Sequence, residues 1–192
     1  MALRRSKVTT PQQYLARERS SETKSEYHDG EIFAMTGASR QHNKIVVNIL
    51  AALQPQLRQH PCDLYPSDMR VKVVATGLYT YPDVSVACGE TQIEDSAQDT
   101  LLNPTVIVEV LSKSTAAYDR GEKFEHYRKI PSLMEYLLVA QDKCLVEHYQ
   151  RQPEDRWLLS EANSLEEVLE LPAIECRLAL AEVYDKVIVA VK

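Results

Sequence analysis

The clearest helical period in the chain follows Ser39. In ASRQHNKIVVNILAALQPQLRQH the apolar residues Ile45, Val46, Ile49, Leu50, Leu53 and Leu57 recur at the spacing of one helix face. Ser39 is a residue type that accepts from free N-terminal amides, so it predicts the N-cap. His42 opens the buried face one turn before Ile45 and Val46. Pro55 predicts a kink or an end, because it lacks an amide donor and clashes with the turn before it. A shorter helix is predicted over 9–20, where Thr10 precedes Pro11 at the first helical position.

Elsewhere the period is two. SEYHDGEIFAMTG reads as a hairpin turned at Asp29-Gly30, with Glu31 opening its second arm. Alternation over 62–87 predicts strands near 69–74 and 83–87, with a turn at Gly77 between them. TVIVEVLS is apolar on both faces, which predicts a central strand. A helix is predicted over 116–130, ended by Pro131. MEYLLVA and CLVEHYQ predict two strands meeting at 141–143, RWLLSEA another, and LALAEVYDKV a terminal helix. This order predicts an α/β fold, a mixed β-sheet flanked by helices, rather than a chain of regular βαβ units. No linker is evident, so the 192 residues are expected to form one domain, with disorder confined to about residues 1–8.

Composition removes several classes of function. A 44% hydrophobic and 26% charged chain is ordinary for a globular protein, and it has no low-complexity tract or fixed-period repeat. The N-terminal segment lacks the apolar region of a signal peptide, and no run of 18 apolar residues occurs, so a cytoplasmic protein without a membrane partner is expected. Net charge is −6, which argues against strong unspecific attraction to nucleic acid. Local basic patches remain at Arg4, Arg5 and Lys7, and along Lys113, Arg120, Lys123, Arg128 and Lys129. The glycines form neither GxGxxG nor a P-loop. Cys62, Cys88, Cys144 and Cys176 show no CxxC or zinc spacing, so they are expected to be small buried hydrophobes without disulfides.

One residue breaks the apolar pattern. Glu109 sits inside Val106, Ile107, Val108, Val110 and Leu111, where an uncompensated charge is expensive. By strand alternation Glu109 shares its face with Ile107 and Leu111, and Asp83 shares its own with Ser85 and Ala87. Adjacent strands would bring Asp83 and Glu109 together at one end of the sheet, with Pro82 pinning the backbone before Asp83. Two buried carboxylates repel, and a hard divalent cation between them resolves the repulsion. The competing reading gives each acid its own salt bridge or helix cap.

YPDVSVA and VIVEVLS, set between a preceding and a following helix, resemble the PD-(D/E)XK nuclease superfamily. More closely, the chain is similar to the Uma-type family of restriction-endonuclease-like proteins. The blocks YHDGEIFAMTGASRQHN, YPSDMRV, LYTYPDVSV, NPTVIVEVLSKST, AYDRGEKFEHYRKIPSLMEYLLV and LPAIECRLALAEVY carry the likeness, from about residue 10 to the end. The resemblance implies a restriction-endonuclease-like fold and hydrolysis of DNA phosphodiesters. It implies Mg2+, with Mn2+ as an alternative, held by Asp83, Glu109 and the backbone carbonyl of Val110. Glu31 matches an acid of the DGE element, and His42 matches a histidine where the superfamily often places an accessory group.

The departure is at the lysine. The superfamily places it two residues beyond the acid, and here that position is Leu111. Lys113 would face the same side if the strand ran on, but Lys123 of DRGEK matches the lysine this family carries on the following helix. The competing reading of Lys123 is an i, i+4 surface pair with Asp119. Tyr127 stacks one turn beyond Lys123 and is a candidate partner for it. His28, His60, His126 and His148 lack mutual metal spacing and read as surface or structural. Three functions stay open: a metal-dependent endonuclease acting on DNA as a homodimer, a catalytically inactive nuclease-fold module that binds DNA or protein, and a purely structural interaction domain.

Overall fold

The computed structural model describes residues 8–188. Arg4, Arg5 and Lys7, and the disorder expected at the first residues, lie outside the described residues. The chain runs α1 (Pro11–Glu18), β1 (Ser25–His28), β2 (Glu31–Ala34), α2 (Arg40–Leu57), β3 (Cys62–Pro66), β4 (Arg70–Val73), β5 (Leu78–Thr80), β6 (Val84–Cys88), β7 (Thr100–Leu101) and β8 (Val106–Leu111). It continues through α3 (Ala116–Arg120), α4 (Glu122–Tyr127), β9 (Glu135–Ala140), β10 (Val146–Arg151), β11 (Trp157–Ala162), β12 (Val168–Leu171), β13 (Cys176–Ala179) and α5 (Leu180–Val183).

Local signals set several of these boundaries. Thr10 and Gln13 form a reciprocal capping box on α1, whose first residue is Pro11. Asp29 and Gly30 both take positive φ, the backbone that a tight hairpin turn demands. Ser39 caps α2 by accepting from the His42 amide, and Pro55 lies inside the helix, in its last turn. The strand carrying Glu109 is interior as expected: the main sheet has the order β11-β10-β9-β8-β6-β3. β8 runs parallel to β9 and antiparallel to β6, so the sheet is mixed. A second sheet has the order β2-β1-β5-β4-β7, and β12 pairs with β13 alone.

The two faces of β8 define two apolar clusters. Val106, Val108 and Val110 pack with Ile45, Ile49 and Leu53 of α2 on one face. Ile107 and Leu111 pack with Tyr127, Leu133 and Tyr136 on the other, together with Val71, Val73 and Leu78 from the second sheet. Glu109 therefore points into the apolar layer between the main sheet, the second sheet and α4.

Four expectations need correction. The helix expected over 116–130 is two short helices, because Gly121 adopts φ −106° and ψ −97° between α3 and α4. LALAEVYDKV does not form one helix: Leu178 and Ala179 belong to β13, and only Leu180–Val183 is helical. The alternation over 62–87 holds two more strands than expected: β3 and β5 are separate strands, and Gly77 turns β4 into β5 rather than into β6. Finally, Cys62 and Cys88 form a disulfide. The β3–β6 ladder sets these two residues directly opposite each other across 26 positions of sequence, which no local spacing reveals. Cys144 and Cys176 are free and buried, as expected. Among the described residues no helix is long and apolar enough to cross a membrane.

Candidate active site

Asp83 lies just before β6, after Pro82. In the ladder Val84 faces Val108, and one step further places Asp83 opposite Glu109. The Asp83 carboxylate then takes over the role of a ladder carbonyl: the Val110 amide donates to its Oδ2 at 2.7 Å. Its Oδ1 is 2.9 Å from His42 Nε2, in the first turn of α2. The Ser39 cap fixes where α2 begins, and so fixes where His42 projects. In a ladder pair one residue exchanges both its N–H and its C=O with the same neighbour. The Val110 carbonyl is therefore turned to the Asp83 edge, while the carbonyl of Leu111 accepts from Gln141 at the β9 edge.

Glu109 is 5% exposed and Lys123 is 5% exposed. Lys123 Nζ lies 2.8 Å from Glu109 Oε1, 3.2 Å from Glu26 Oε1 and 3.7 Å from Asp119 Oδ1. The Tyr127 hydroxyl donates to Glu109 Oε1 at 2.7 Å. Glu26 also accepts from the Thr80 hydroxyl. The Lys123–Asp119 contact exists, but in a buried cluster and not on the surface. Glu109 Oε2 makes no hydrogen bond among the described residues and is not sealed from solvent, so one carboxylate oxygen stays open.

The electrostatics follow from this composition. Burial pushes the Glu109 carboxyl up to about 8, Lys123 pulls it down, and Asp119 and Asp83 push it up again. Burial would lower the Lys123 ammonium, yet Glu109, Glu26 and Asp119 outweigh burial and hold it well above the ordinary lysine value. Burial raises the Asp119 carboxyl against the pull of Lys123. Glu26, Glu109 and Asp119 thus share one permanent cation, Asp83 adds to the repulsion on Glu109, and this surplus of negative charge favours a proton on Glu109. A divalent cation is the other way to relieve it. The donor set of Asp83, Glu109 Oε2 and the Val110 carbonyl is all oxygen, which suits magnesium or manganese.

The expected residues separate into two groups. Glu109 and Lys123 meet directly, Asp83 sits at the Val110 backbone, and His42 is hydrogen-bonded to Asp83. Glu31 does not join them: it is exposed on the hairpin opposite His28 and makes no ion pair or side-chain hydrogen bond with the cluster. The acid that the hairpin does deliver is Glu26, which sequence reasoning passed over. Its signal was available, because alternation in SEYH sets Glu26 opposite in facing to the buried Ser25 and Tyr27. Leu111 is buried in the apolar layer, so the ordinary lysine position is filled by core.

A groove of about 610 Å³ opens beside the end of β8, lined by Leu111, Lys113, Arg120, Gln141 and Lys143 among others. Lys113 and Lys143 are exposed, while Arg120 is held by Glu147. The basic series expected from Lys113 to Lys129 is therefore not one patch, since Lys123 is buried and Arg120 is paired.

Comparison with known proteins identifies the family and the fold. The family model described as "Uma2: Putative restriction endonuclease" matches residues 11–181. Two uncharacterised proteins of the cyanobacterium Synechocystis are similar, one 40% identical over 84% of this chain and 91% of its own length, the other 35% identical over 91% and 90%. A crystallised protein of Anabaena variabilis, described as a "putative nuclease belonging to DUF820", superimposes with a TM-score of 0.71 at 17% identity, over 88% of this chain and 93% of that one. The fold is thus that of a nuclease-fold protein, an α/β architecture of mixed sheets flanked by helices.

Proposed function

The chain belongs to the Uma2 family of restriction-endonuclease-like proteins, and on that premise we propose that it is a divalent-metal-dependent endonuclease that hydrolyses DNA phosphodiester bonds. The observation that carries the reading is the carboxylate surplus: Glu109 keeps one oxygen free of hydrogen bonds at the sheet end where Asp83 is held by His42 and the Val110 amide, beside a lysine already shared by three acids. Asp83, Glu109 and the Val110 carbonyl would hold magnesium or manganese. Bound there, the ion supplies an electropositive centre that acidifies water and neutralises phosphate oxygens.

The chain's own residues do the rest. Lys123 keeps Glu109 ionised when a second cation is present and leaves a positive charge beside the scissile phosphate, where electrostatic stabilisation of phosphoryl transfer is needed. Tyr127 and Glu26 hold Lys123 and Glu109 in register, so little reorganisation is required when substrate arrives. His42 fixes the rotamer of Asp83 through Oδ1, leaving Oδ2 on the Val110 amide. Lys113 and Lys143 in the adjoining groove are placed to meet the DNA backbone, and a homodimer would present two such sites to the two strands.

The deciding experiment incubates plasmid and short duplexes with the parent protein and Asp83→Ala, with magnesium, manganese or EDTA. Cleavage by the parent that needs the metal and is lost in Asp83→Ala is expected. Duplex binding without cutting under every metal would replace this reading with that of an inactive binding module.

A further inference from the structure

Next to the carboxylate cluster lies a second group of ligating side chains with different chemistry. β1 carries Glu26 and His28 on the same face, two residues apart. α4 carries Glu122 and His126 one helical turn apart, on either side of Lys123. The face of β1 that offers Glu26 to Lys123 therefore also offers His28 to α4. One ligand atom from each of His28, Glu122 and His126 lies within 4.8 Å of the others. The two imidazoles meet edge to face, with ring centroids 4.5 Å apart.

His126 has no hydrogen-bond economy of its own. It is 9% exposed, and its Nδ1 is buried without a partner among the described residues. A buried imidazole nitrogen left unpaired is costly, and such an atom in a native site calls for an explanation. A cation shared by these two histidines and the neighbouring carboxylate would give both rings a partner at once.

We propose that His28, Glu122 and His126 form a second metal site, specific for a zinc-like transition-metal ion and distinct from the oxygen site at Asp83 and Glu109. Two imidazoles and one carboxylate match the ligand preference of zinc rather than magnesium. Two of the ligands are already at i, i+4 on one helix, and the half-buried His28 and the exposed Glu122 have room to close the remaining distance. Three protein ligands leave a fourth position for water or an added group. Loading the site ties the β1–β2 hairpin to α4. Because Glu26 lies two residues before His28 and Lys123 one after Glu122, the metal would set the Glu26–Lys123 contact from outside the carboxylate cluster.

The test uses the full-length Asp83→Ala protein, so that the oxygen site does not compete. Titration with Co2+ is expected to give one equivalent of visible d–d absorption, displaced by Zn2+, with a rise in thermal midpoint on zinc addition. Glu122→Gln is expected to weaken binding by about tenfold or more, and His28→Gln or His126→Gln to abolish the absorption. Should His126→Gln fail to fold, His28→Gln decides, because His28 is half-buried on the hairpin. Absence of stoichiometric Co2+ binding to Asp83→Ala overturns the proposal, and so does binding that survives His28→Gln. Neither result bears on cleavage at Asp83 and Glu109.

Discussion

Neighbouring strands of the main sheet each bury a glutamate, and the two are treated in opposite ways. Glu109 of β8 faces the layer that holds α4 and the second sheet, whereas Glu135 of β9 faces the α2 side. Burial raises both carboxyls, Glu109 to about 8 and Glu135 to about 7. Glu109 has a lysine at 2.8 Å, three further acids around it and an open oxygen. Glu135 has a backbone amide from Ala173 at 3.3 Å, a sealed and unpartnered Oε2, and His148 at 3.8 Å. That last contact is not an ion pair, because burial pushes His148 down to about 4 and leaves it neutral at neutral pH. A raised carboxyl therefore does not by itself mark a reactive site. Company and access do: Glu109 is crowded with charge and open at one oxygen, and Glu135 is isolated and closed.

The largest expected effect removes the cation from the crowded site. Lys123→Met leaves Glu109, Glu26 and Asp119 without their shared partner and is expected to cost about 3–5 kcal/mol in urea unfolding at neutral pH. Stability equal to the parent's would mean that the acids are neutralised without the lysine. In catalysis the two glutamates should part completely. Asp83→Ala, which strips the partner acid of Glu109, is expected to lower cleavage by about 10²–10³-fold, with Glu135→Gln within about twofold of the parent. Equal losses would erase the distinction between the two sites.

The pH dependence sharpens the closed site. The Glu135 carboxyl is raised from 4.5 to about 7, so the folded state holds that proton more tightly than the unfolded chain. Its contribution is fully present below about 4.5 and is lost as pH rises through 7, a change of roughly 2–3 kcal/mol between pH 4.5 and 8. Glu135→Gln should flatten that part of the stability profile in thermal melts. His148 has the opposite sign: its contribution is present above 6.5 and lost as pH falls through about 4. The smallest effect concerns positioning at the open site. His42→Ala is expected to reduce cleavage about tenfold, with partial recovery in His42→Gln, whose amide still reaches toward Asp83. A loss as large as that of Asp83→Ala would make His42 more than a support.

What could be read in advance depended on whether the signal was local. The Ser39 and Thr10 caps, the Asp29-Gly30 turn and the central strand around Glu109 each follow from a few adjacent residues, and each is present. Glu109 announced itself because an acid interrupts an apolar run. Leu111 in the lysine position directed attention to Lys123, and the two side chains do meet across 14 residues of sequence. The rest required knowledge of which strand pairs with which. Glu26 and the Cys62–Cys88 bond depend on ladders and packing between segments far apart, which leave no trace in spacing. LALA suits either period, and pairing with β12 decides for a strand where a helix is expected. The break at Gly121 was visible as a glycine, but only its non-helical backbone shows that it divides the helix in two.

The parallel pairing of β8 with β9 has a consequence in time as well as in space. Parallel neighbours require a crossover, and here the crossover is the segment containing α3 and α4, which carries both Asp119 and Lys123. Glu109 and its cation therefore enter the molecule on opposite sides of one loop closure, and that closure is among the slower events open to a folding chain. A growing polypeptide that has emerged only as far as β8 already possesses Asp83 and Glu109 but not the lysine that pairs with Glu109. The Glu109–Lys123 pair therefore forms only when the crossover docks β9 beside β8, so strand pairing and charge pairing at the site are one event.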